Sequence, residues 1–457
     1  MSGVTLLRHL DAGLPARVAE SQQAVDGVAT SNAEFHEWFT ERQAQQRQDV
    51  RRVDLDALAG WSFDPRTGDL RHHTGKFFSV EGVRVHSDFG PVTAWSQPMI
   101  NQPEIGILGI ALREIGGVLH CLMQAKSEPG NVNGVQLSPT VQATRSNYTR
   151  VHRGAAVPYL EHFREPDPRR VFADVLQSEQ GAWFYRKRNR NMVVELEDRV
   201  DAGPDFRWLT LGQLQALLRV DNLVNMDART VLSCMPFGTA DDARGALHTQ
   251  PEILSWITRQ QAEHEITIER IPLDDVEDWS RTPRAISHRA GRYFSVIGVD
   301  VSSNSREVAA WSQPLLAPHG IGVVAFLVRR FDGVLHALVQ ARVEPGFVDV
   351  VELAPTVQCT PENYEHLGSA GAPPFLDVVL GASPDRLLFD VELSEEGGRF
   401  FHARSRYVVI DVGDEIPVST RPDYRWMTLP QLTGLLQHSH YVNVQARTLV
   451  SALRGLS

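Results

Sequence analysis

Apolar and polar positions along this chain follow two periods, and each stretch occurs twice. Behind a Ser31-x-x-Glu34 capping box, Phe35, Trp38, Phe39 and Arg42 fall at i, i+3, i+4 and i+7, which predicts a helix with one apolar face. Thr249-x-x-Glu252, followed by Ile253, Leu254, Trp256 and Ile257, repeats the device. The period then drops to two. FFSVEGVRV (77–85) and YFSVIGVDV (293–301) alternate and are rich in β-branched residues, as strands are. IGILGIALR, ending at Arg113, and IGVVAFLVRR, ending at Arg330, are unbroken apolar runs of the kind expected for a strand covered on both faces. Gly116-Gly117 and Asp332-Gly333 predict hairpin turns, because both pairs accept positive φ cheaply. VLHCLMQAK and VLHALVQAR return as the second hairpin strands, and an EPG tripeptide (128–130 and 344–346) turns each chain away. WFYRKRNRNMVVEL (183–196) and RFFHARSRYVVIDV (399–412) alternate again. One helix is expected to close each half, with Leu211, Leu214, Leu217 and Leu218, or Leu429, Leu432, Leu435 and Leu436, on one face. Thr210 and Thr428 are its natural N-caps, and Pro430 falls in the first turn, where its missing N–H costs little.

The two copies are offset by 216 residues, and 38 of the 79 positions from Leu70 to Tyr148 are identical to their partners at +216. The chain is therefore an internal duplication. At 457 residues it is also long enough for two cores. The expected organisation is a loosely ordered arm (1–30), a first module (31–235), a linker (236–250) and a second module (251–457). Each module reads as α+β with a mixed, mostly antiparallel sheet rather than a doubly wound array.

The net charge of −11 argues against a nucleic-acid backbone as the partner, but leaves room for a small anion held by a few local arginines. No apolar run approaches the roughly 18 residues that would span a bilayer. The N-terminal stretch lacks the apolar core and small-residue cleavage site of a secretion signal. Cys121, Cys234 and Cys359 occupy no equivalent repeat positions, so neither a disulfide framework nor a cysteine metal site is expected, and a reducing cytoplasm is the natural setting.

The chain has no GxGxxG after a strand, no GxxxxGKS/T, no HExxH, no GxSxG and no CxxC, so nicotinamide and metal chemistry have no local support. Two polar constellations remain. His120, Gln124, Lys126 and Glu128, matched by His336, Gln340, Arg342 and Glu344, share one strand face, which reads either as a functional ladder or as a half-exposed strand. PTVQxTxxNY, at 139–148 and 355–364, gathers amide, hydroxyl and phenol groups that can hold a sugar, a base edge or a phosphate. The competing reading is a polar turn satisfying its own backbone. Trp61 and Trp279, each before the first strand of its half, suit either base stacking or core packing. Trp95 and Trp311 of the WSQP motifs read as packing residues.

WSQP, QPEIGILG (102–109), QAKSEPGNV (124–132), LSPTVQATRSNY (137–148) and the terminal ARTLVSAL (446–453), together with the duplication, resemble the NDP-hexose 2,3-dehydratase family over nearly the whole chain. The resemblance implies two fused Nudix-like modules, a homodimer, and action on dTDP-4-keto-6-deoxy-glucose. Neither half has a Nudix box, so pyrophosphohydrolysis does not come with the fold. In the implied reaction the C4 ketone acidifies C3–H, a base takes that proton, and an acid assists loss of the C2 hydroxyl. No cofactor and no metal is required in principle. The 3,4-diketo product is unstable and passes to a separate 3-ketoreductase. By the same resemblance Trp61 and Trp279 flank the thymine. Arg145, Ser146, Asn147, Tyr148, Thr149 and Ser178 line the first pocket; Arg342, Thr356, Gln358, Asn363, Tyr364, Ser394 and Glu395 line the second. Tyr148, Tyr364, Glu344, Asp349 and His152 are the candidate base and acid, and the sequence does not decide which repeat reacts. The other readings are a Nudix-type nucleotide-sugar hydrolase and a sugar-nucleotide-binding protein without turnover.

Overall fold

A computed structural model of the chain describes residues 13–144, 156–197, 200–236, 245–306, 308–419 and 421–456. The period-two segments pair into four sheets, a seven-stranded and a five-stranded sheet for each repeat. In the first seven-stranded sheet the order is Val171–Ser178, Arg188–Glu195, Gly106–Ile115, Val118–Ser127, Phe206–Thr210. Val135–Ser138 and Val141–Ala143 pair with its two central hairpin strands. The pairing of Gly106–Ile115 with Arg188–Glu195 is parallel and its other pairings are antiparallel. The second repeat copies the arrangement around Gly322–Phe331 and Val334–Val343. The expected α+β fold with mixed, mostly antiparallel sheets is what forms.

The local reasons are those the pattern announced. Gly116 and Gly117 have φ of +61° and +85°, and Asp332 and Gly333 have +47° and +83°. The resulting tight turns set Ile115 opposite Val118 and Phe331 opposite Val334. The unbroken apolar strands feed two cores at once. Leu108, Ile110 and Leu112 enter a core under the helices, while Ile107 and Ala111 enter another on the opposite face. Both capping boxes close: Glu34 N donates to Ser31 Oγ at 3.3 Å and Ser31 N to Glu34 Oε2 at 2.8 Å, starting the helix Asn32–Gln45. Thr249 and Glu252 do the same for Gln250–Glu263, so the last linker residue is already helical.

Two other expectations need correcting. The arm contains a helix, Leu14–Gln23, that buries Leu14, Val18 and Ser21 on the first core. Ser21 Oγ donates to Leu119 O at 2.6 Å and accepts from Leu211 N at 2.9 Å. Two apolar residues four apart are too weak a stripe to announce it. Each half also closes with two helices rather than one: Leu211–Leu217 and Met226–Ser233, then Leu429–Leu435 and Val444–Leu453. The chain breaks where Asn222 and His440 take φ of +54° and +63°. Asn225 and Asn443 then cap the second helix, accepting from Ala228 N and Ala446 N at 2.8 and 2.9 Å.

The repeats are interlocked. Gln48–Val53, from the first half, pairs with Phe294–Ser303 of the second, and Ile266–Ile271 pairs with Ser79–Ser87. Each module thus lends the other a strand. Trp61 and Trp279 sit in the shared core this creates, with Phe78, Phe294, Phe184 and Phe400. Trp61 Nε1 donates to Ser312 O at 2.9 Å and Trp279 Nε1 to Ser96 O at 3.2 Å, each across to the other repeat. Deeper in the seam the helices Met226–Ser233 and Val444–Leu453 pack together around two fully buried arginines. Arg229 donates to Val224 O at 2.6 Å, Ser394 O at 2.7 Å and Thr448 Oγ1 at 3.2 Å. Arg447 mirrors it, donating to Val442 O at 2.7 Å, Thr230 Oγ1 at 2.5 Å and Ser178 O. Beside them Gln136 Nε2 donates to Ser394 Oγ at 2.8 Å, while at the equivalent place Ser178 Oγ donates to Glu352 Oε2 at 2.5 Å.

Expressed separately, the two halves are expected to remain unfolded, and expressed together to assemble one to one; circular dichroism and gel filtration check both. Burial pushes Glu352 up to about 8, against the lowering influence of Ser178 and Arg447. Because the folded state keeps a proton that the unfolded chain releases above its ordinary carboxylate pKa, this group's contribution to stability falls as pH rises from that value through about 8. Glu352→Gln, which installs the first repeat's own residue, is expected to flatten that decline in denaturant titrations between pH 5 and pH 9.

Candidate active site

Each EPG turn exists to dock one repeat on the other. Gly130 N donates to Gly397 O, and Gly346 N to Gly181 O, both at 2.7 Å. A β-carbon on either glycine would overlap the carbonyl of Phe400 or Phe184, so no other residue fits. The glutamate two residues earlier is thereby held at the seam, facing a turn of the opposite repeat. Two related pockets follow, one around Glu128 and one around Glu344.

In the second pocket Arg342 Nε donates to Glu344 Oε1 at 2.7 Å and Gln358 Nε2 donates to the same oxygen at 3.0 Å. Asn443 Nδ2 holds Gln358 Oε1 at 2.8 Å. Burial alone would lower the Arg342 pKa, but Glu344 overrides it and the pKa is raised. Tyr364 stands beside Arg342; burial raises its phenol, and the guanidinium offsets part of that rise. Phe347, 3% exposed, fills the corner next to Glu344, both side chains lying against Gly181.

The first pocket repeats the frame and changes its contents. Gln142 Nε2 donates to Glu128 Oε1 at 2.8 Å, and Asn225 Nδ2 to Gln142 Oε1 at 3.4 Å. Two cations share Glu128: Lys126 Nζ and, from the second repeat, Arg306 Nη1, each 3.6 Å from Oε1. Asn131 stands where the second repeat has Phe347, its Nδ2 turned to Gly134 O at 2.7 Å. A hollow lined by Gln46, Gln124, Lys126, Gln142, Ser305 and Arg306 opens beside this group. Behind Glu128 the first pocket has acids that the second lacks. Asp227, in the first turn of Met226–Ser233, corresponds to Gln445, and Glu396 corresponds to Gln180. Burial, then Glu396, Glu179 and Glu128, raise Asp227 well above the carboxylate range. Burial, with Glu128 and Glu179, pushes Glu396 up to about 7 against Arg399 and Lys187.

Of the residues singled out in the sequence, Arg342, Glu344, Gln358 and Tyr364 come together. Arg145, Ser146, Asn147, Tyr148, Thr149 and His152 lie outside the described residues. The rest sit elsewhere. Trp61 and Trp279 are 8% and 6% exposed in the shared core, with no face left for a base. Thr356 accepts from Leu327 N at 3.0 Å and donates to Leu338 O, tying strands together, as Thr140 does in the first repeat. Ser178 and Ser394 are spent on the seam. Glu395 is too, accepting from Gln180 Nε2 at 2.7 Å and Tyr407 Oη at 3.0 Å. Asn363 Oδ1 caps Tyr293 N at 3.1 Å. Asp349 lines a separate open hollow with Ser439, His440 and Tyr441. The ladder is not a half-exposed strand: His120 and His336 are fully buried, with Nδ1 facing the Val118 and Val334 carbonyls at 2.8 and 2.9 Å. Asp227, Glu396 and Arg306, which also stand at this pocket, were not singled out in the sequence; the first two differ between the repeats, as Gln445 and Gln180 show.

A duplicated α+β fold with the same polar frame in each half defines a two-module protein built by duplication. The family model of the NDP-hexose 2,3-dehydratases matches residues 32–235 and again 250–453, and the chain belongs to that family. It is 50% identical over 445 residues to the dTDP-4-dehydro-6-deoxy-alpha-D-glucopyranose 2,3-dehydratase of Saccharopolyspora spinosa, covering 93% of this chain and 91% of that one. The enzyme of the same name from Amycolatopsis orientalis is 50% identical over 445 residues, covering 96% and 93%, and that from Streptomyces violaceoruber 50% over 436 residues, covering 93% and 98%.

Proposed function

We propose that the chain is a hydro-lyase that removes water across C2 and C3 of dTDP-4-keto-6-deoxy-glucose. The match to dehydratases over nearly the whole length of both partners carries this reading. The chemistry needs a base at C3, an acid at the C2 hydroxyl and donors for the enolate oxygen. Removal of the C3 proton gives an enolate; loss of the C2 oxygen as water restores the C4 carbonyl and leaves a C2=C3 enol. Transfer of the enol proton to C2 gives the 3,4-diketo-2,6-dideoxy sugar.

The reaction belongs in the first repeat's pocket. Asn131 puts a polar amide where the second has Phe347, and Lys126 and Arg306 bring two cations within reach of a diphosphate. The second pocket keeps Arg342, Glu344, Gln358 and Tyr364 but has Gln445 and Gln180 where the first has Asp227 and Glu396, and on that difference it is read as not carrying the chemistry. Each module is read as Nudix-like, the assembly as a homodimer and the partner downstream as a 3-ketoreductase, all supported by the family resemblance. Among the described residues no helix is long and apolar enough to cross a membrane, and the three cysteines are free thiols, which supports a cytoplasmic setting.

Incubation with the substrate and no nicotinamide is expected to give loss of one water by mass spectrometry, followed by sugar breakdown and dTDP release. Hydrolysis to dTMP and a sugar phosphate would overturn the reading. Glu128→Gln is expected to lower kcat at least about 100-fold, whereas Tyr364→Phe stays near the parent rate. The reverse result would move the reaction to the second repeat.

A further inference from the structure

Asp227 and Glu396 come from opposite repeats and meet in one pocket. Asp227 is 3% exposed, and its carboxyl has no hydrogen-bond or ion-pair partner among the described residues. Glu396, half-buried, stands on the turn docked by Gly130: a β-carbon on the neighbouring Gly398 would run into Glu396 Oε1 and lie 3.8 Å from Glu128 Oε1. An unpartnered buried carboxyl is costly, and the fold has an alternative at hand, because the second repeat carries Gln445 and Gln180 at the same two places. At these two places the change from amide to acid falls on the side of the seam that also holds Lys126 and Arg306.

Resting on the dehydratase reading, we propose that Glu396 is the base that takes the C3 proton and Asp227 the acid that protonates the departing C2 hydroxyl, so the active site is completed only by residues of both repeats. The division of labour follows depth. Asp227, enclosed by the carboxyls of Glu396, Glu179 and Glu128 with Lys126 the nearby cation, is held neutral and has a proton to give. Glu396 faces Arg399 and Lys187 as well as Glu128, Glu179 and Asp227, and titrates about 7, where a base is both ionised and strong enough to act. The C3 electron pair passes to the enolate and then forms C2=C3 as the C2–O bond breaks. The oxygen leaves as water with Asp227's proton; Glu396 then gives the proton it took to C2 as the enol O–H proton passes to Asp227, so both groups are restored with no other reactant.

Glu396→Gln and Asp227→Gln each install the other repeat's residue, and Asp227→Asn keeps the original volume. All are made in the full chain, and melting temperatures report folding. Solvent deuterium exchange at C3 is followed separately from loss of water. Glu396→Gln is expected to lose both, by about 100-fold or more, along with the ascending limb of kcat/KM near pH 7. Asp227→Asn is expected to keep C3 exchange while losing elimination. Either folded variant turning over within about threefold of the parent would overturn the assignment, as would loss of exchange in Asp227→Asn with its retention in Glu396→Gln. If only one substitution at Asp227 folds, that variant decides. Should neither fold, Glu396→Gln decides alone: loss of C3 exchange in the folded variant supports the assignment, and turnover within about threefold of the parent overturns it. A parent that releases no water would sink the dehydratase reading itself and the roles with it, whereas an active parent with indifferent variants would sink only the roles.

Discussion

Two guanidinium groups buried in the seam hold this molecule in register. Arg229 and Arg447 are fully buried, and burial lowers both pKa values. Such a charge is tolerated in a dry interior only when its donors are satisfied. Each arginine meets that condition with one carbonyl of its own repeat, one threonine of the opposing helix and one carbonyl of the opposite sheet. Removing either would strand two carbonyls as well as the packing of the helix pair, at about 1–3 kcal/mol for each group left unsatisfied. The opposite-sheet carbonyls belong to Ser394 and Ser178, immediately before the turns that face the pockets. Arg229 therefore shares a helix with Asp227 and fixes the turn that carries Glu396, which couples the seam to the geometry of the site.

Duplication supplies the frame twice, and chemistry needs it once. Gly130 and Gly346, Glu128 and Glu344, Gln142 and Gln358, Glu179 and Glu395, and the arginine pair are the same in both halves. Lys126 and Arg342, Asn131 and Phe347, Asp227 and Gln445, Glu396 and Gln180 are not. In the first set the glycines and the arginines tie one repeat to the other, and the glutamates and glutamines hold the same side-chain frame in each pocket. The second set lies at the pockets, where the second copy has neutral amides and a phenyl ring and the first has two acids and a short amide.

Much of the frame was legible because it follows from local rules. Alternation found the strands, paired positive-φ residues found the hairpins, and two capping boxes placed both long helices at their first residue. Strand exchange was not legible, because Gln48–Val53 and Ile266–Ile271 present the same alternating pattern to either partner. The conserved-looking PTVQ motif divided its duties in a way that spacing does not reveal: the threonine ties strands and the glutamine holds the pocket glutamate. Trp61 and Trp279 read as either stacking platforms or core residues because a tryptophan's burial depends on what the other repeat brings over it. Asp227 escaped notice because an acid in the first turn of a helix is ordinarily read as a complement to the helix dipole.

That ordinary reading fails on energetics. A first-turn carboxylate is stabilised when it is ionised and wet, or when it caps an N–H. Asp227 is buried, caps nothing among the described residues and is surrounded by other acids, so the dipole's contribution, about 0.3–1 kcal/mol at exposed sites, is overwhelmed by desolvation and like-charge repulsion. The group escapes the conflict by keeping its proton. A neutral, buried carboxylic acid is a poor structural element when glutamine would serve, as it does at Gln445. It is a good proton donor to an oxygen that must leave as water, and the same enclosure that holds the proton on Asp227 excludes the solvent that would otherwise compete to supply one.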